Sequence, residues 1–232
     1  MTDLAGKRIL VTGATGVLGG LITRQLASRG ASIVASGQNE TVLAGLTEAS
    51  EHYAVDLAVP GAVDALVQAI SADGGLDGVV IAHGVVAFGG LDTLTDDTLQ
   101  SLVTLNQTVP MQLVRAALPV LTGSAAHGNT PFVVTISGVI SELPTMGMAA
   151  YGASKAGLLS FVKATQRELK RAGIRLLDAR PPHTETGLAG RAIAGTAPNM
   201  AAGLEPQQVA SRIVDAIVND EVDVPTSAFT VS

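Results

Sequence analysis

Short apolar runs alternate with longer amphipathic stretches along the chain. A short apolar run bounded by turn residues is typical of a buried strand. We predict such strands at residues 7–12, 32–35, 52–55, 78–82, 132–137 and 174–179. A final strand is predicted at either 221–224 or 228–231.

Between these runs, apolar residues recur at the spacing of one helix face. The first such stripe comprises Val17, Leu18, Leu21, Ile22 and Leu26. It ends at Gly30, a common helix stop. Further helices are predicted at residues 41–46, 61–71, 97–121, 149–171 and 206–218. Pro110 should kink or restart the helix at 97–121, because proline lacks the N–H that a helix interior requires.

The regular alternation of strands and helices determines the expected fold class. Nearly all-apolar strands indicate a parallel sheet that is covered by helices on both faces. We therefore predict a single-domain α/β fold over residues 1–232, a Rossmann-type doubly wound parallel sheet of about seven strands. The irregular stretch 187–205 is rich in Ala, Gly, Thr and Pro, and we expect it to be a flexible lid.

Composition excludes several classes of function. The formal charge of −6 argues against nucleic acid as a partner, because phosphate binding requires a basic surface. The absence of cysteine excludes disulfides, thiolate catalysis and cysteine-ligated metal. The first residues lack the pattern of a signal peptide, and no apolar run is long enough to span a bilayer. We predict a cytoplasmic protein without a nucleic-acid or membrane partner.

A glycine-rich turn follows the first predicted strand and opens the first helix. In Thr12-Gly-Ala-Thr-Gly-Val-Leu-Gly19, Gly13 permits a tight turn and Gly16 allows backbone to approach a pyrophosphate. Gly19 allows the helix to pack closely on the sheet, and the helix N-terminus offers N–H groups to phosphates. The alternative is a strand-to-helix turn without a ligand. The strand and helix context favours a dinucleotide site.

Tyr151 and Lys155 share one face of the predicted helix 149–171, because about 3.6 residues complete a turn. An ammonium beside a phenol favours the phenolate and lowers the pKa of the phenol from about 10. Such a pair is suited to exchanging a proton during interconversion of a carbonyl and an alcohol. This spacing also occurs by chance in helices, so the other motifs decide its meaning.

The chain resembles the short-chain dehydrogenase/reductase family over nearly its full length, because the motifs of that family occur in it in the same order. The motifs that carry the resemblance are the glycine turn, Asp56-Leu57, Asn106, the Tyr151/Lys155 pair and Pro181. The spacing Gly-x-x-Gly-x-x-Gly is similar to that of the family's extended and atypical members. Ile81-Ala82-His83-Gly84 and Pro181-Pro182 replace the segments that are usual after the fourth and sixth strands.

The resemblance implies a role for each member of the catalytic group. Tyr151 is the general acid/base, and Lys155 lowers its pKa and binds the nicotinamide ribose. Asn106 holds a proton-relay water, unless it satisfies backbone groups near the kink. The family's serine lies thirteen residues before the tyrosine, where this chain has Gly138. We favour Ser137 over Ser141 for that role, and a third possibility is that neither serine is catalytic.

The resemblance also implies the contacts of a nicotinamide cofactor. They are Gly13, Thr15, Gly16, Val17, Leu18, Gly19, Ser36, Gly37, Gln38, Asp56, Leu57, Ala82, His83, Gly84, Tyr151, Lys155, Pro181, Thr184 and Thr186. The second strand does not end in the acidic residue that would bind a ribose 2'-hydroxyl. We therefore prefer NADP(H) over NAD(H), with Ser36, Gln38 and Asn39 as ligands of the 2'-phosphate. We predict no metal site, because no clear third ligand accompanies His83 and His183.

The primary interpretation is an NAD(P)(H)-dependent oxidoreductase acting on a ketone or a secondary alcohol. The alternative is a catalytically silent dinucleotide-binding sensor or scaffold of the same fold. The few charges in 187–205 suggest a neutral or hydrophobic substrate. By resemblance, the helices around Asn106 and Tyr151 pair in a homodimer or homotetramer.

Overall fold

Parallel strands form a single sheet in the computed structural model, which describes residues 1–229. The strands are β1 (Arg8–Thr12), β2 (Ser32–Gly37), β3 (Glu51–Ala54), β4 (Gly78–Ile81), β5 (Phe132–Ile136), β6 (Arg175–Ala179) and β7 (Asp223–Val224). They are ordered β3-β2-β1-β4-β5-β6-β7, and each neighbouring pair is parallel. This order confirms the predicted Rossmann-type sheet.

Helices cover both faces of the sheet. They are α1 (Val17–Ser28), α2 (Glu40–Ala44), α3 (Ala62–Ala72), α4 (Asp96–Val103), α5 (Val109–Ala126), α6 (Ala149–Arg171) and α7 (Pro206–Val218). Apolar residues of α1 and α7 share one buried cluster, and those of α3, α5 and α6 share another. Among the described residues, no helix combines the length and apolarity that a membrane crossing requires.

The helix predicted at 97–121 is divided by a π turn at Thr104–Thr108. The Val109 N–H donates to the Thr104 carbonyl, five residues back, and Pro110 lies in the first turn of α5. Because Pro110 has no N–H, the carbonyl of Asn106 has no α-helical donor. The predicted interruption is therefore confirmed, and its form is a wide turn that contains Asn106.

Of the two predicted final strands, 221–224 is correct. The alternative at 228–231 is wrong at its start, because Thr226–Ala228 forms a 3-10 turn. Residues 230 and 231 of that prediction lie outside the described residues.

The irregular stretch 187–205 is anchored to the loop that follows β4. The Ile193 N–H donates to the Val86 carbonyl and the Phe88 N–H donates to the Ala194 carbonyl, each at 2.9 Å. Near its end, the Leu204 N–H donates to the His183 carbonyl at 2.8 Å. We call residues 193–195 the strap. Backbone hydrogen bonds thus hold this stretch at two places, and its role as a lid stays a prediction.

Candidate active site

The glycine turn lies at the carboxyl edge of the sheet, between β1 and α1. Gly13 has φ +70°, and a Cβ there would lie 2.6 Å from the His83 backbone nitrogen. A Cβ on Gly19 would overlap the Gly13 carbonyl oxygen. α1 begins after Gly16 without a side-chain cap, which leaves its first N–H groups to a ligand. Glycine at these two positions permits the close packing of the turn on itself and on the loop after β4. The turn fits a dinucleotide, because the uncapped N–H groups at the start of α1 are suited to a pyrophosphate.

The three polar residues at and just after the end of β2, Ser36, Gln38 and Asn39, differ in their surroundings. Ser36 has no exposed surface and its Oγ has no partner, so the predicted contact of Ser36 with a 2'-phosphate is wrong. Asn39 caps α2, because its Oδ1 accepts from the Val42 N–H at 2.9 Å. Gln38 is exposed beside Gly37. Of the predicted phosphate ligands, Gln38 is thus the one whose side chain is exposed and does not cap a helix.

Asp56 and Leu57, which by the resemblance would contact the adenine of the cofactor, lie after β3. Asp56 is exposed, and its Oδ1 accepts from the Ala58 N–H at 2.9 Å. Leu57 is buried against the sheet. The local hydrogen bond makes Asp56 a turn-forming residue, and Leu57 forms part of the core beneath the predicted adenine site.

The loop after β4 brings His83 and Gly84 towards the nicotinamide end of the site. His83 Nδ1 lies 2.8 Å from Thr12 Oγ1, and Nε2 is buried without a partner. Burial lowers the pKa of His83 to about 4, and the nearby charge of Lys155 acts in the same direction. The imidazole is therefore neutral at neutral pH. A Cβ on Gly84 would lie 3.0 Å from Asn106 Oδ1, so glycine permits close packing of this loop.

Asn106 is fully buried and binds the loop after β4. Its Oδ1 accepts from the Val85 N–H at 3.0 Å, and its Nδ2 donates to the Val85 carbonyl at 2.9 Å. Nδ2 also donates to Ser154 Oγ at 3.1 Å. The side chain is thus engaged with Val85 and Ser154, and its backbone partner is Val85 and not the chain at the Pro110 kink. The role of Asn106 in holding a relay water stays a prediction.

Lys155 is buried on α6, one turn after Tyr151. Its Nζ donates to the Ile136 carbonyl at 2.9 Å. Burial lowers the pKa of Lys155 to about 8, and the negative charge of Asp178 opposes that change. A pKa of about 8 leaves the ammonium protonated at neutral pH.

Tyr151 has a pKa opposite to the predicted one. Burial raises its pKa to about 12. Desolvation therefore outweighs any lowering of the Tyr151 pKa by Lys155, and the net direction of the pKa change is opposite to the predicted one. The consequence is a neutral phenol, which is a proton donor.

The serines near the end of β5 form a short chain of hydroxyls. Ser137 is fully buried and donates to Asp178 Oδ2 at 2.6 Å. Ser141 donates to the Gly138 carbonyl at 2.7 Å, and its Oγ lies 3.3 Å from Ser137 Oγ. Gly138 has φ +74°, which bends the chain at the position of the family's serine. Because its proton is engaged with Asp178, Ser137 Oγ can act towards other groups only as a hydrogen-bond acceptor.

Residues after β6 form the wall opposite the glycine turn. Pro181 is buried, and its carbonyl accepts from the Val139 N–H at 3.0 Å. Thr184 Oγ1 donates to the Pro182 carbonyl at 2.9 Å, and Thr186 Oγ1 accepts from the Leu188 N–H at 3.4 Å. His183 Nε2 lies 3.4 Å from Glu185 Oε1, which favours a loop-packing role for His183.

A small cleft opens beside Tyr151. Its walls come from the loop after β4, from α4, from the start of α6 and from the strap. The lining residues include Ala87, Phe88, Leu94, Leu102, Met148 and Ala194. Thr93, Thr98 and Tyr151 supply the hydroxyl groups. The lining is thus mainly apolar, with a few hydroxyl-bearing residues, among them Tyr151.

Asp178 and Arg180 are the site residues that sequence reasoning missed. Both are buried, and Arg180 Nη1 lies 3.2 Å from Asp178 Oδ2. The available signal was a pair of charges in the otherwise apolar end of β6, Leu176-Leu177-Asp178-Ala179-Arg180. Charged residues are rarely fully buried unless they are paired.

Comparison with known proteins gives consistent matches. A sequence model described as short chain dehydrogenase matches residues 7–196. A 2,5-dichloro-2,5-cyclohexadiene-1,4-diol dehydrogenase of Sphingobium indicum is 30% identical over 181 residues, covering 75% of this chain and 71% of the relative. A ketoacyl reductase of Nostoc sp. is 29% identical, with 97% of this chain and 79% of the relative covered.

A solved structure gives the same result at the level of the fold. A short-chain dehydrogenase from Sphingobium yanoikuyae in complex with NADPH superposes with a TM-score of 0.85. It is 25% identical, and the match covers 94% of this chain and 87% of that chain.

Proposed function

Since the chain belongs to the short-chain dehydrogenase family, we propose that it interconverts a ketone and a secondary alcohol with a nicotinamide dinucleotide and with Tyr151 as general acid/base. The observation that carries the proposal is the position of Tyr151. Its phenol lines the apolar cleft, and the buried Lys155 lies one turn further along α6. This arrangement supports proton exchange with an oxygen atom of a bound substrate.

A bound nicotinamide supplies or accepts the hydride. The chain's own residues handle the proton. In reduction, the neutral phenol of Tyr151 donates its proton to the carbonyl oxygen, and the ammonium of Lys155 stabilises the phenolate that forms. In oxidation the phenol must first lose its proton. Because its pKa is raised, alcohol oxidation is expected to increase with pH over a wider range than ketone reduction.

We propose that the glycine turn and the first N–H groups of α1, at Val17 and Leu18, bind the pyrophosphate. Lys155 and Tyr151 bind the nicotinamide ribose. The other contacts implied by the resemblance stay proposals, with Ser36 withdrawn. They are Thr15, Gly37, Asp56, Leu57, Ala82, His83, Gly84, Pro181, Thr184 and Thr186.

The preference for NADP(H) rests on Gln38, which is exposed just after β2. An acidic residue at this place would repel a 2'-phosphate, whereas the neutral glutamine does not. Fluorescence titration with NADPH and with NADH compares the two affinities directly. Tighter binding of NADPH supports the preference, and equal or tighter binding of NADH contradicts it.

The substrate is proposed to be a neutral, mainly apolar ketone or secondary alcohol. The proposal rests on the cleft lining, to which Phe88, Leu94, Leu102 and Met148 contribute together with Tyr151. A charged substrate would lose hydration in this cleft without gaining an ion pair from the lining residues.

The second candidate is a dinucleotide-binding sensor without catalytic activity. One observation favours it: Ser137 is engaged with Asp178, and Gly138 stands where the family has its serine. The retained Tyr151 and Lys155 oppose it, because binding alone requires no acid/base pair.

The deciding experiment combines calorimetry with an activity panel. Cofactor binding is measured by calorimetry, and NADPH and NADH oxidation is followed with neutral apolar ketones and with charged keto acids. Turnover confined to the neutral ketones supports the proposed enzyme. Cofactor binding without turnover of any ketone, and without NAD(P)-dependent oxidation of the matching alcohols, supports the sensor.

The proposed homo-oligomer and cytoplasmic location stay predictions from the sequence. Sedimentation velocity tests the first, and a dimer or tetramer is expected. A species with the mass of one chain at micromolar concentration would contradict it.

A further inference from the structure

The end of β6 carries a buried carboxylate that faces the helix of the Tyr151/Lys155 pair. Leu176 packs in the cluster under α6 together with Leu158 and Val162. Side chains two residues apart on a strand share a face of the sheet, so Asp178 also faces α6. Asp178 has no exposed surface.

Three donors hold this carboxylate. Thr135 Oγ1 donates to Asp178 Oδ1 at 2.6 Å, and Ser137 Oγ donates to Oδ2 at 2.6 Å. Arg180 Nη1 donates to Oδ2 at 3.2 Å. Burial raises the pKa of Asp178, and the hydrogen bonds from Ser137 and Thr135 with the charge of Arg180 act against that change. Donors of this kind stabilise the charged carboxylate.

The single positive charge of Arg180 does not balance the negative charges of the carboxylates around it. Besides Asp178, its guanidinium contacts Asp223 Oδ1 at 2.7 Å and Glu142 Oε2 at 3.0 Å. Three carboxylates thus share one guanidinium. A second cation close to Asp178 would balance more of this negative charge.

Lys155 supplies that cation. Its Nζ donates to the carbonyl of Ile136, and Thr135, the residue before Ile136, is the register partner of Asp178 on the neighbouring strand. The other titratable groups near the ammonium are His83, which is neutral, and Tyr151 on the same helix, whose phenol is neutral. Asp178 is therefore the negative charge that faces Lys155 from the sheet.

We propose that Asp178 is a positioning residue of the active site, whose buried carboxylate keeps Lys155 protonated and orients the hydroxyl of Ser137. A protonated Lys155 stabilises the phenolate that Tyr151 forms when it gives up its proton. This inference rests on the proposed function for its effect on turnover, but the charge state of Lys155 is measurable without any substrate.

The test is an NMR titration of the lysine Nζ and Cε resonances. The chain has few other lysines, namely Lys7, Lys163 and Lys170, so the Lys155 signal can be assigned by a Lys155→Arg variant. In the wild-type protein, the titration midpoint of Lys155 should lie above neutral pH. A midpoint below neutral pH would overturn the proposal without the need for any variant of Asp178.

Asp178→Asn keeps the shape of the side chain and removes its charge. We expect the Lys155 midpoint to fall by about one pH unit or more, because an opposite charge at close range stabilises the ammonium by at least that amount. If this variant does not fold by circular dichroism, Asp178→Ser, which leaves space for water, carries the same expectation. An unchanged Lys155 midpoint in a folded variant would refute the role of Asp178.

Asp223→Asn is the matched control. Asp223 contacts the same guanidinium but is half exposed on β7, with a relative side-chain exposure of 52%. The Asp223→Asn variant should leave the Lys155 midpoint unchanged, and an equal shift in both variants would contradict a specific role of Asp178.

If a ketone is turned over, the alkaline limb of the pH–rate profile should move to lower pH in Asp178→Asn. A moved NMR midpoint without turnover in any protein would refute the proposed function and leave this inference standing.

Discussion

Asn106 shows how one side chain can fix a catalytic loop. Its amide pairs with both backbone groups of Val85, in the way that a neighbouring strand would. The loop after β4 leads from His83 to the cleft wall at Phe88, so its position depends on this pairing. The side chain of Asn106 therefore acts by holding the backbone of this loop.

Asn106→Ala is expected to destabilise the protein by about 2–4 kcal/mol, because two buried backbone groups of Val85 lose their partners. Denaturant unfolding measures this change. Thr108→Ala, at an exposed position of the same π turn, is the control and should change the free energy of unfolding little. Equal effects of the two substitutions would show that the pairing with Val85 contributes no stability.

At the scale of elements, the strap and the loop after β4 together form the wall of the cleft. Gly195 has φ +69°, and a Cβ there would overlap the Phe88 carbonyl oxygen. The close approach of the two backbones therefore requires glycine. It places Ala194 and Phe88 side by side in the cleft wall.

Gly195→Ala should lift the strap from Phe88 and widen the cleft. We expect the KM for a small ketone to rise about tenfold, a loss of about 1.4 kcal/mol of binding, while the affinity for the cofactor stays unchanged. Steady-state kinetics and calorimetry give the two values. Gly190→Ala, in the same stretch but in open space, is the control. A KM that stays at the wild-type value in Gly195→Ala would contradict a role of the strap in the cleft.

The sequence predicts strands and helices well here because their signals are local. The apolar run at 78–82 and the stripe from Val17 to Leu26 each identify a buried element without any tertiary information. The two hydrogen bonds of the strap are not predictable in this way, since they join residues far apart in the chain. Pro110 predicted an interruption, but its form as a π turn depends on packing around Asn106.

At the scale of the whole molecule, the buried His83 makes stability depend on pH. Its pKa is lowered to about 4 in the folded chain, against an ordinary value of 6.5. The unfolded chain therefore binds a proton between these values that the folded chain does not bind. Stability is fully present above about pH 6.5 and is lost as the pH falls towards about 4.

Between about pH 7 and about pH 5, the protonation of His83 in the unfolded chain should lower the free energy of unfolding by about 2 kcal/mol. Urea titrations at the two pH values measure the difference, and His83→Asn should reduce it. His127→Asn, at an exposed histidine, is the control and should keep the wild-type difference. The same difference in His83→Asn and in the wild type would contradict a buried, neutral His83.

The candidate site was predictable only in part, because its charge states depend on burial. Tyr151, Lys155 and the glycine turn were found from spacing and context, yet the predicted pKa of Tyr151 had the wrong direction. Asp178 was missed because a single acid in a strand belongs to no motif. Its role follows from the three donors that hold its carboxylate, and these come from residues elsewhere in the fold. Long-range burial, and not local pattern, determines these properties.

The central claim is that Tyr151 exchanges the proton with a substrate in a site built for a nicotinamide dinucleotide. The most direct measurement compares the wild type with Tyr151→Phe, which removes only the hydroxyl group, for ketone turnover and for NADPH affinity in the same preparation. We expect turnover to fall by at least about a hundredfold while the affinity for NADPH stays within about twofold. Equal turnover in the two proteins would contradict the account.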